Sequence, residues 1–313
     1  MSIVVNYHGN CYDGMGAMWS AKRALDIMGD PKFANAEYVS SSYGNDKDDY
    51  EDKLLVYVDY CPKRVVIDKL AKNNLVLVID HHKTAQGELE ALPKIDADFK
   101  DYYTQFTQGL RGAYVEFDME RSGAGMAYDY FHKGGKRPNL IKFVEDRDLW
   151  KFKYGDTSKA FHAYLLSQPF DYDAWTKIFE DAESHDGLEK IVNKGKAVLE
   201  YGDQLVKNIV ETAKVYETNG VKYAFFNTTS HWAEVGDYAV QKLGVDYSIA
   251  ITFDAAKNQI RGSVRGKPGL DCTKIAGFFG GGGHAGASGF QVPISESPMT
   301  IKDRIDSYLK EQK

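Results

Sequence analysis

Short apolar runs alternate with helical patterns through the first half of the chain. SIVVNY (2–7), LLVYVDY (54–60) and LVLVID (75–80) read as buried strands. GMGAMWSAKRALDIM (14–28) brings Met15, Met18, Trp19 and Leu25 near one face of a helix. PKRVVIDKLAKN (62–73) opens on proline, as helices often do. Strand, helix and strand in this order predict a parallel sheet with right-handed crossovers. AYVEF (113–117) reads as a further strand before the helix SGAGMAYDYF (122–131), and residues 139–149 and 157–182 read as helical.

The pattern then changes. Residues 188–218 keep a helical period, with only Gly195 and Gly202 to interrupt it, which predicts a long connecting helix. Beyond it strands are expected at 222–227, 247–254 and 259–266, with helices at 231–244 and 271–280. The expected architecture is α/β in two domains. Residues 1–186 form a parallel-sheet domain, 187–218 a helical linker, and 219–313 a smaller mixed-sheet α/β domain. No internal repeat is visible, and the one low-complexity stretch is the glycine tract at 280–283.

Composition narrows the function classes. A chain of 313 residues with 43% hydrophobic content can bury a real core and is sized for two domains. No apolar run reaches the roughly 18 residues of a membrane helix, and no signal-peptide pattern opens the sequence, so a soluble, cytoplasmic protein is expected. Cys11, Cys61 and Cys272 are too widely spaced for a disulfide framework or a CxxC knuckle, in keeping with a reducing compartment. A net charge of −6 argues against binding along a nucleic-acid duplex, while a small anion held by a few local groups fits.

Ligands of open parallel sheets gather outside the carboxyl ends of the strands. There this sequence delivers His8, Cys11 and Asp13 after the first strand, Asp59 after the next, and Asp80, His81 and His82 after the third. Crowded like charges repel unless a cation lies among them, so a divalent metal is the simplest explanation. Mixed carboxylate and imidazole ligands suit Mn, Fe or Zn better than Ca. Asp146 or Asp148, in FVEDRDLW (143–150), could complete the set. Each residue also has a duller reading: Asp59 as a turn former, a histidine as a structural group, Asp146 and Asp148 as surface ion partners of Arg147.

The stretch GFFGGGGHAGASGF (277–290) sets four glycines before His284. Successive exposed amides can make a nest for phosphate, and Arg265 at a strand end could grip the same anion bidentately. A flexible surface loop is the alternative. Metals on one domain and an anion clamp on the other are the two parts of a phosphoester hydrolase.

Taken together, these motifs resemble those of the DHH phosphoesterase superfamily with its C-terminal DHH-associated domain, the group of RecJ exonucleases, oligoribonucleases and exopolyphosphatases. The resemblance covers nearly the whole chain. Asp80-His81-His82 matches the naming motif, Asp59 the motif before it, and Gly281-Gly282-Gly283-His284 with Ala287-Ser288-Gly289 the signature of the second domain. It implies that His81 ligates metal and His82 faces the scissile phosphate, with Asp80 behind them. It also implies that Asp59 bridges two Mn²⁺ ions, that Asp146 rather than Asp148 fills the fourth motif, and that Arg265, Gly281, Gly282, Gly283 and His284 hold substrate phosphate. The first motif departs from the family's HxxxDxD: His8-Gly-Asn-Cys11-Tyr-Asp13 is one residue shorter and has Cys11 where the earlier acid would lie.

The implied chemistry is in-line attack of metal-activated water on phosphorus, with one or two Mn²⁺, or Mg²⁺, Fe²⁺ or Zn²⁺ in their place. Short oligonucleotides or small nucleotides are the expected substrates. A phosphomonoesterase or exopolyphosphatase using the same centre, and a noncatalytic nucleotide-binding module, are the alternatives. No long duplex and no membrane partner are expected, and a homo-oligomer is compatible with the sequence. Some of the 21 tyrosines and 16 phenylalanines could stack bases, although most belong in the core.

Overall fold

The computed structural model describes residues 2–42, 44, 46–133 and 135–311. The chain divides into two compact units between Leu199 and Glu200. In the first, the elements run β1 (Ser2–His8), α1 (Tyr12–Met28), β2 (Glu37–Ser41), β3 (Lys53–Val58), α2 (Arg64–Leu70), β4 (Leu75–Asp80), α3 (Lys83–Leu89), α4 (Phe99–Thr107), β5 (Gly112–Phe117), α5 (Gly123–His132), α6 (Asn139–Asp148), α7 (Asp156–Leu166) and α8 (Tyr172–Ala182). The helix α9 (His185–Glu211) runs from the first unit into the second.

The first sheet is parallel throughout, in the order β2-β1-β3-β4-β5. All six residues of β4 are buried, because helices cover both faces. On one face Ile3, Val56, Leu77 and Ile79 pack with Leu25 of α1, Phe99 and Phe106 of α4 and Met126 of α5. On the other, Val4, Tyr57, Val76 and Val78 pack with Ile67 and Leu70 of α2 and Leu89 of α3. A further apolar cluster joins the outer side of α1 to α6, α7 and α8 through Met18, Trp19, Phe143, Phe161 and Trp175.

The second unit holds β6 (Lys214–Thr218), β7 (Val221–Asn227), α10 (Trp232–Leu243), β8 (Tyr247–Asp254), β9 (Gln259–Gly266), α11 (Cys272–Phe278), β10 (Gly282–His284), β11 (Ala287–Pro293) and α12 (Pro298–Glu311). Its sheet is mixed, in the order β10-β11-β9-β8-β7-β6, with β7 and β8 its parallel pair. One face packs on α11 and α12, the other on α10 and on Val206 and Val210 of α9. No described helix is long and apolar enough to cross a membrane.

Two expectations need correction here. The long helix stops at Glu211 instead of running to 218, and residues 214–218 form β6, paired antiparallel with β7. The cause is the Asn219-Gly220 dipeptide, whose φ values of 54° and 79° make the tight turn that asparagine-glycine favours between strands. The glycine tract is also more ordered than an open nest. Gly280, at φ 77°, terminates α11, with its N–H donating to Gly277 O and that of Gly281 to Ala276 O. This is the Schellman arrangement of a helix C-terminus. Gly282–His284 then pairs with Ala287–Gly289 as a short hairpin.

Candidate metal centre

The strand order of the first sheet reverses between β1 and β3, the place where an open parallel sheet leaves a crevice beyond its carboxyl ends. His8 closes β1, Asp59 follows β3, and His81 and His82 follow β4, so the topology itself brings them to one rim. Cys11 is the N-cap of α1 and Asp13 lies in its first turn. Asp13 is fixed by another helix: its two carboxylate oxygens accept from the backbone N–H groups of Gly123, at 2.6 Å, and Ala124, at 3.0 Å. Ser122 caps that helix, accepting from Gly125 N at 3.1 Å. Asp59 is held at φ 54°, an uncommon conformation for a residue other than glycine. Gly123 is the neighbour that permits it, since a Cβ there would collide with the Asp59 side chain.

Around His81 the acids converge. Its Nε2 lies 3.1 Å from Asp59 Oδ1, 3.3 Å from Asp13 Oδ2 and 3.7 Å from Asp148 Oδ2. The other oxygen of Asp59 turns toward His8, whose Nδ1 is 3.6 Å away. His8, Cys11 and Asp59 offer ligand atoms within 4.8 Å of one another, as do Asp13, His81 and Asp148. Asp59 therefore faces two groups of donors at once. Asp80 is wholly buried, and its Oδ1 accepts from His81 N at 2.8 Å and from His82 Nδ1 at 2.7 Å, which orients the second imidazole.

Charge balance points to a cation. Burial, with Asp148 and Asp59 nearby, pushes Asp13 well above the usual carboxylate range. Burial and Asp59 likewise raise Asp148. For Asp59, burial is outweighed by the nearby imidazole of His8 and the hydrogen bond from His81, which hold it well below that range. Burial would lower His81, yet Asp59, Asp148 and Asp13 hold it well above the ordinary histidine value. The Cys11 thiol is pushed well up by burial and by the same acids. Asp59 Oδ2 is buried and accepts no hydrogen bond among the described residues. A buried carboxylate oxygen without a hydrogen bond among the described residues, beside mixed nitrogen, oxygen and sulfur donors, fits a divalent ion.

Asp146 is a correction. It lies on α6 two residues from Asp148, about 200° away around the helix, so the two cannot face the same point. Asp146 instead accepts from Lys153 N at 2.9 Å, Tyr154 N at 3.2 Å and the Ser158 hydroxyl, bracing the loop after α6 against α7. Asp148 takes the position beside His81. The amide anchor for Asp13 was also missed, although Ser122 followed by Gly-Ala-Gly is a readable helix start.

On the second sheet, Arg265 of β9 lies opposite Ala287 of β11, which lies opposite His284 of β10, so the three form one row. Gly236 of α10 lets the Arg265 stem pass, because a Cβ there would touch Arg265 Cγ at 2.5 Å. The tract residues Gly281 and Gly283 pack closely on backbone, and Gly282 pairs with Gly289 in the hairpin. A Cβ on Gly281 would strike Gly289 O, and Gly283 takes φ 139° against Ala287 and Ser288. The N–H of Gly281 is already given to α11, which removes one amide from the expected nest.

Residues 220–311 match the model of the DHHA1 domain. The full chain superposes on a structure described as a DHH domain, a member of the s1p family of ribosomal proteins, with TM-score 0.61 and 13% identity over 99% of this chain and 87% of that one. The chain thus has the fold of a DHH-domain structure, and its residues 220–311 match the DHHA1 domain. Its fold is also that of RecJ from Thermus thermophilus in complex with Mn²⁺, at TM-score 0.51 and 13% identity, over 98% of this chain and 52% of RecJ. Among curated proteins it is 27% identical over 303 residues to the uncharacterized protein R106 of Acanthamoeba polyphaga mimivirus, covering 91% of this chain. The chain spans 66% of the length of that relative. Asp80 closes β4 with His81 and His82 directly after it, and the hairpin of β10 and β11 lies within the residues that match the DHHA1 domain.

Proposed function

We propose that this chain is a metal-dependent phosphoesterase that hydrolyses phosphodiester bonds of short oligonucleotides or small nucleotides. The observation that carries the reading is the convergence of Asp13, Asp59, Asp148 and His81, with a buried Asp59 oxygen that accepts no hydrogen bond among the described residues. His8, Cys11, Asp13, Asp59, His81 and Asp148 would hold the metal, Mn²⁺ or a related divalent ion, as RecJ does in its Mn²⁺ complex. When bound, the ion supplies Lewis acidity that lowers the pKa of water and offsets charge on the phosphoryl oxygens.

The chain's own groups do the rest. The bond between His82 Nδ1 and Asp80 Oδ1 orients the ring and supports a role for Nε2 as donor to a substrate oxygen. Arg265 and His284 hold an anionic part of the substrate, so residues 1–186 act as the catalytic domain and 219–313 as the substrate-binding domain, joined by 187–218. A nucleotide is favoured over polyphosphate by the residues on either side of Asp148. There Arg147 lies 4.5 Å over the Trp150 ring, Trp150 meets Phe152 at 4.9 Å, and Lys159 lies 5.4 Å over Phe152. Trp150 and Phe152 are both held at positive φ, 56° and 46°. Alternating aromatic and cationic groups beside a phosphoryl site suit a base with its phosphate.

A substrate panel tests this. Short RNA and DNA oligomers, a cyclic dinucleotide, a nucleotide monoester and polyphosphate are each incubated with Mn²⁺ and with chelator. Mononucleotide release that chelator abolishes is the expected result. Phosphate released only from polyphosphate or the monoester would replace the substrate assignment, and binding without turnover would make the chain a noncatalytic module.

A further inference from the structure

We infer that Cys11 gives this centre a thiolate-bearing subsite, formed with His8 and Asp59, which selects a soft divalent ion such as Zn²⁺, Co²⁺ or Fe²⁺ over Mg²⁺. The inference rests on the metal-centre reading above and concerns which ion that centre takes. Three observations carry it. The ligand atoms of His8, Cys11 and Asp59 lie within 4.8 Å of one another, which is ligand spacing around a single ion. Asp59 is 1% exposed, and its Oδ2, the oxygen turned toward His8, accepts no hydrogen bond among the described residues. Cys11 is the N-cap residue of the 17-residue helix α1 and makes no capping hydrogen bond with its side chain, so its sulfur stands at the helix start beside His8 and Asp59.

The two halves of the centre differ in chemistry. Asp13, His81 and Asp148 offer two carboxylates and one imidazole, a set that tolerates hard ions. The His8, Cys11 and Asp59 group replaces one of those oxygens with sulfur. Soft ligands discriminate by bonding character, and sulfur gains little from Mg²⁺. Binding there forms a metal–sulfur bond and breaks the S–H bond, the proton passing to solvent, with no change of oxidation state. The other cysteines do not compete for this role. Cys61 donates to the Pro62 carbonyl, and Cys272 is buried in the α11 core of the other unit.

The experiment is a titration of the metal-free full chain with Co²⁺, read by absorption, alongside competition between Zn²⁺ and Mg²⁺ followed by calorimetry. The wild type should show a near-ultraviolet sulfur-to-cobalt charge-transfer band together with the visible ligand-field bands. Cys11→Ser should lose the charge-transfer band and at least about 10-fold in Zn²⁺ affinity, since even outer partners of a metal site are worth that much. Cys11→Asp should lose the band yet bind Mg²⁺ or Mn²⁺ more tightly than wild type, which also shows that the site still folds. Cys61→Ser and Cys272→Ser should keep the band. Ligand-field bands without sulfur charge transfer in the wild type would overturn the Cys11 assignment and leave the metal centre standing. Absence of any bound Co²⁺, Zn²⁺ or Mn²⁺ in the wild type would overturn both.

Discussion

Asp59 concentrates the chemistry of the centre into one residue, because its backbone conformation, its burial and its two oxygens are all set by neighbours. A φ of 54° is reached with Gly123 pressed against its side chain, and its carboxylate divides between His81 and His8. Its place after an apolar strand was legible in the sequence, since a polar residue closing a buried run needs a reason. The choice between Asp146 and Asp148 was not, because both lie on one helix and only the rotational setting of α6 decides which reaches His81. His82 differs from these candidate ligands in its bond to Asp80. Replacing His82 with alanine should lower kcat by about 100-fold or more, the contribution expected of a positioned acid or hydrogen-bond donor. Metal affinity, measured by calorimetry, should be unchanged. A loss of affinity that matches the loss of activity would make His82 a ligand instead.

At the scale of elements, the parallel strands were readable because burial on both faces leaves continuous apolar runs, and the helices α1 and α2 announced themselves through an apolar face and an opening proline. The short edge element β2, half exposed and mixed in character, carried no such signal. β6 was absorbed into a helical pattern because Val215 and Tyr216 follow α9 at helical spacing, whereas the turn at Asn219-Gly220 commits them to a hairpin. The glycine tract was read as an anion nest, yet Gly280 is needed to end α11. Gly280→Ala should cost about 1–2 kcal/mol in chemical denaturation through the left-handed conformation alone, and an unchanged midpoint would refute the helix-end role. On α12, Asp306 ties the helix to the sheet, its Oδ1 accepting from Thr218 at 2.6 Å and Tyr223 at 2.7 Å while Lys302 lies 2.7 Å from Oδ2. Burial raises Asp306, but the bonds from Lys302, Thr218 and Tyr223 outweigh it and hold the group below its ordinary value. Its stabilisation is therefore present above the unfolded carboxylate pKa of about 3.9 and is lost as pH falls through the lower folded value. Asp306→Asn should cost about 1–3 kcal/mol at neutral pH and flatten the acid limb of a stability profile. Parallel acid limbs for variant and wild type would contradict this.

For the whole molecule, two compact units divide the chemistry, with acids and imidazoles at the rim of a parallel sheet in one and a row containing Arg265 and His284 in the other. The order of elements in the sequence conveyed this division, because the β and α alternation stops at a long helix and restarts after it. What sequence alone could not convey is the strand order, and the strand order decides which loops share a rim. The central claim is that residues from β1, α1, β3, β4 and α6 make one cation site. Its most direct test is Mn²⁺ binding to the metal-free chain, measured by electron paramagnetic resonance, in wild type and in Asp59→Asn, Asp148→Asn and Asp146→Asn. The account predicts that bound Mn²⁺ is lost or greatly weakened in the Asp59 and Asp148 variants and retained by Asp146→Asn. Full binding in Asp59→Asn, or no bound ion in wild type, would contradict it.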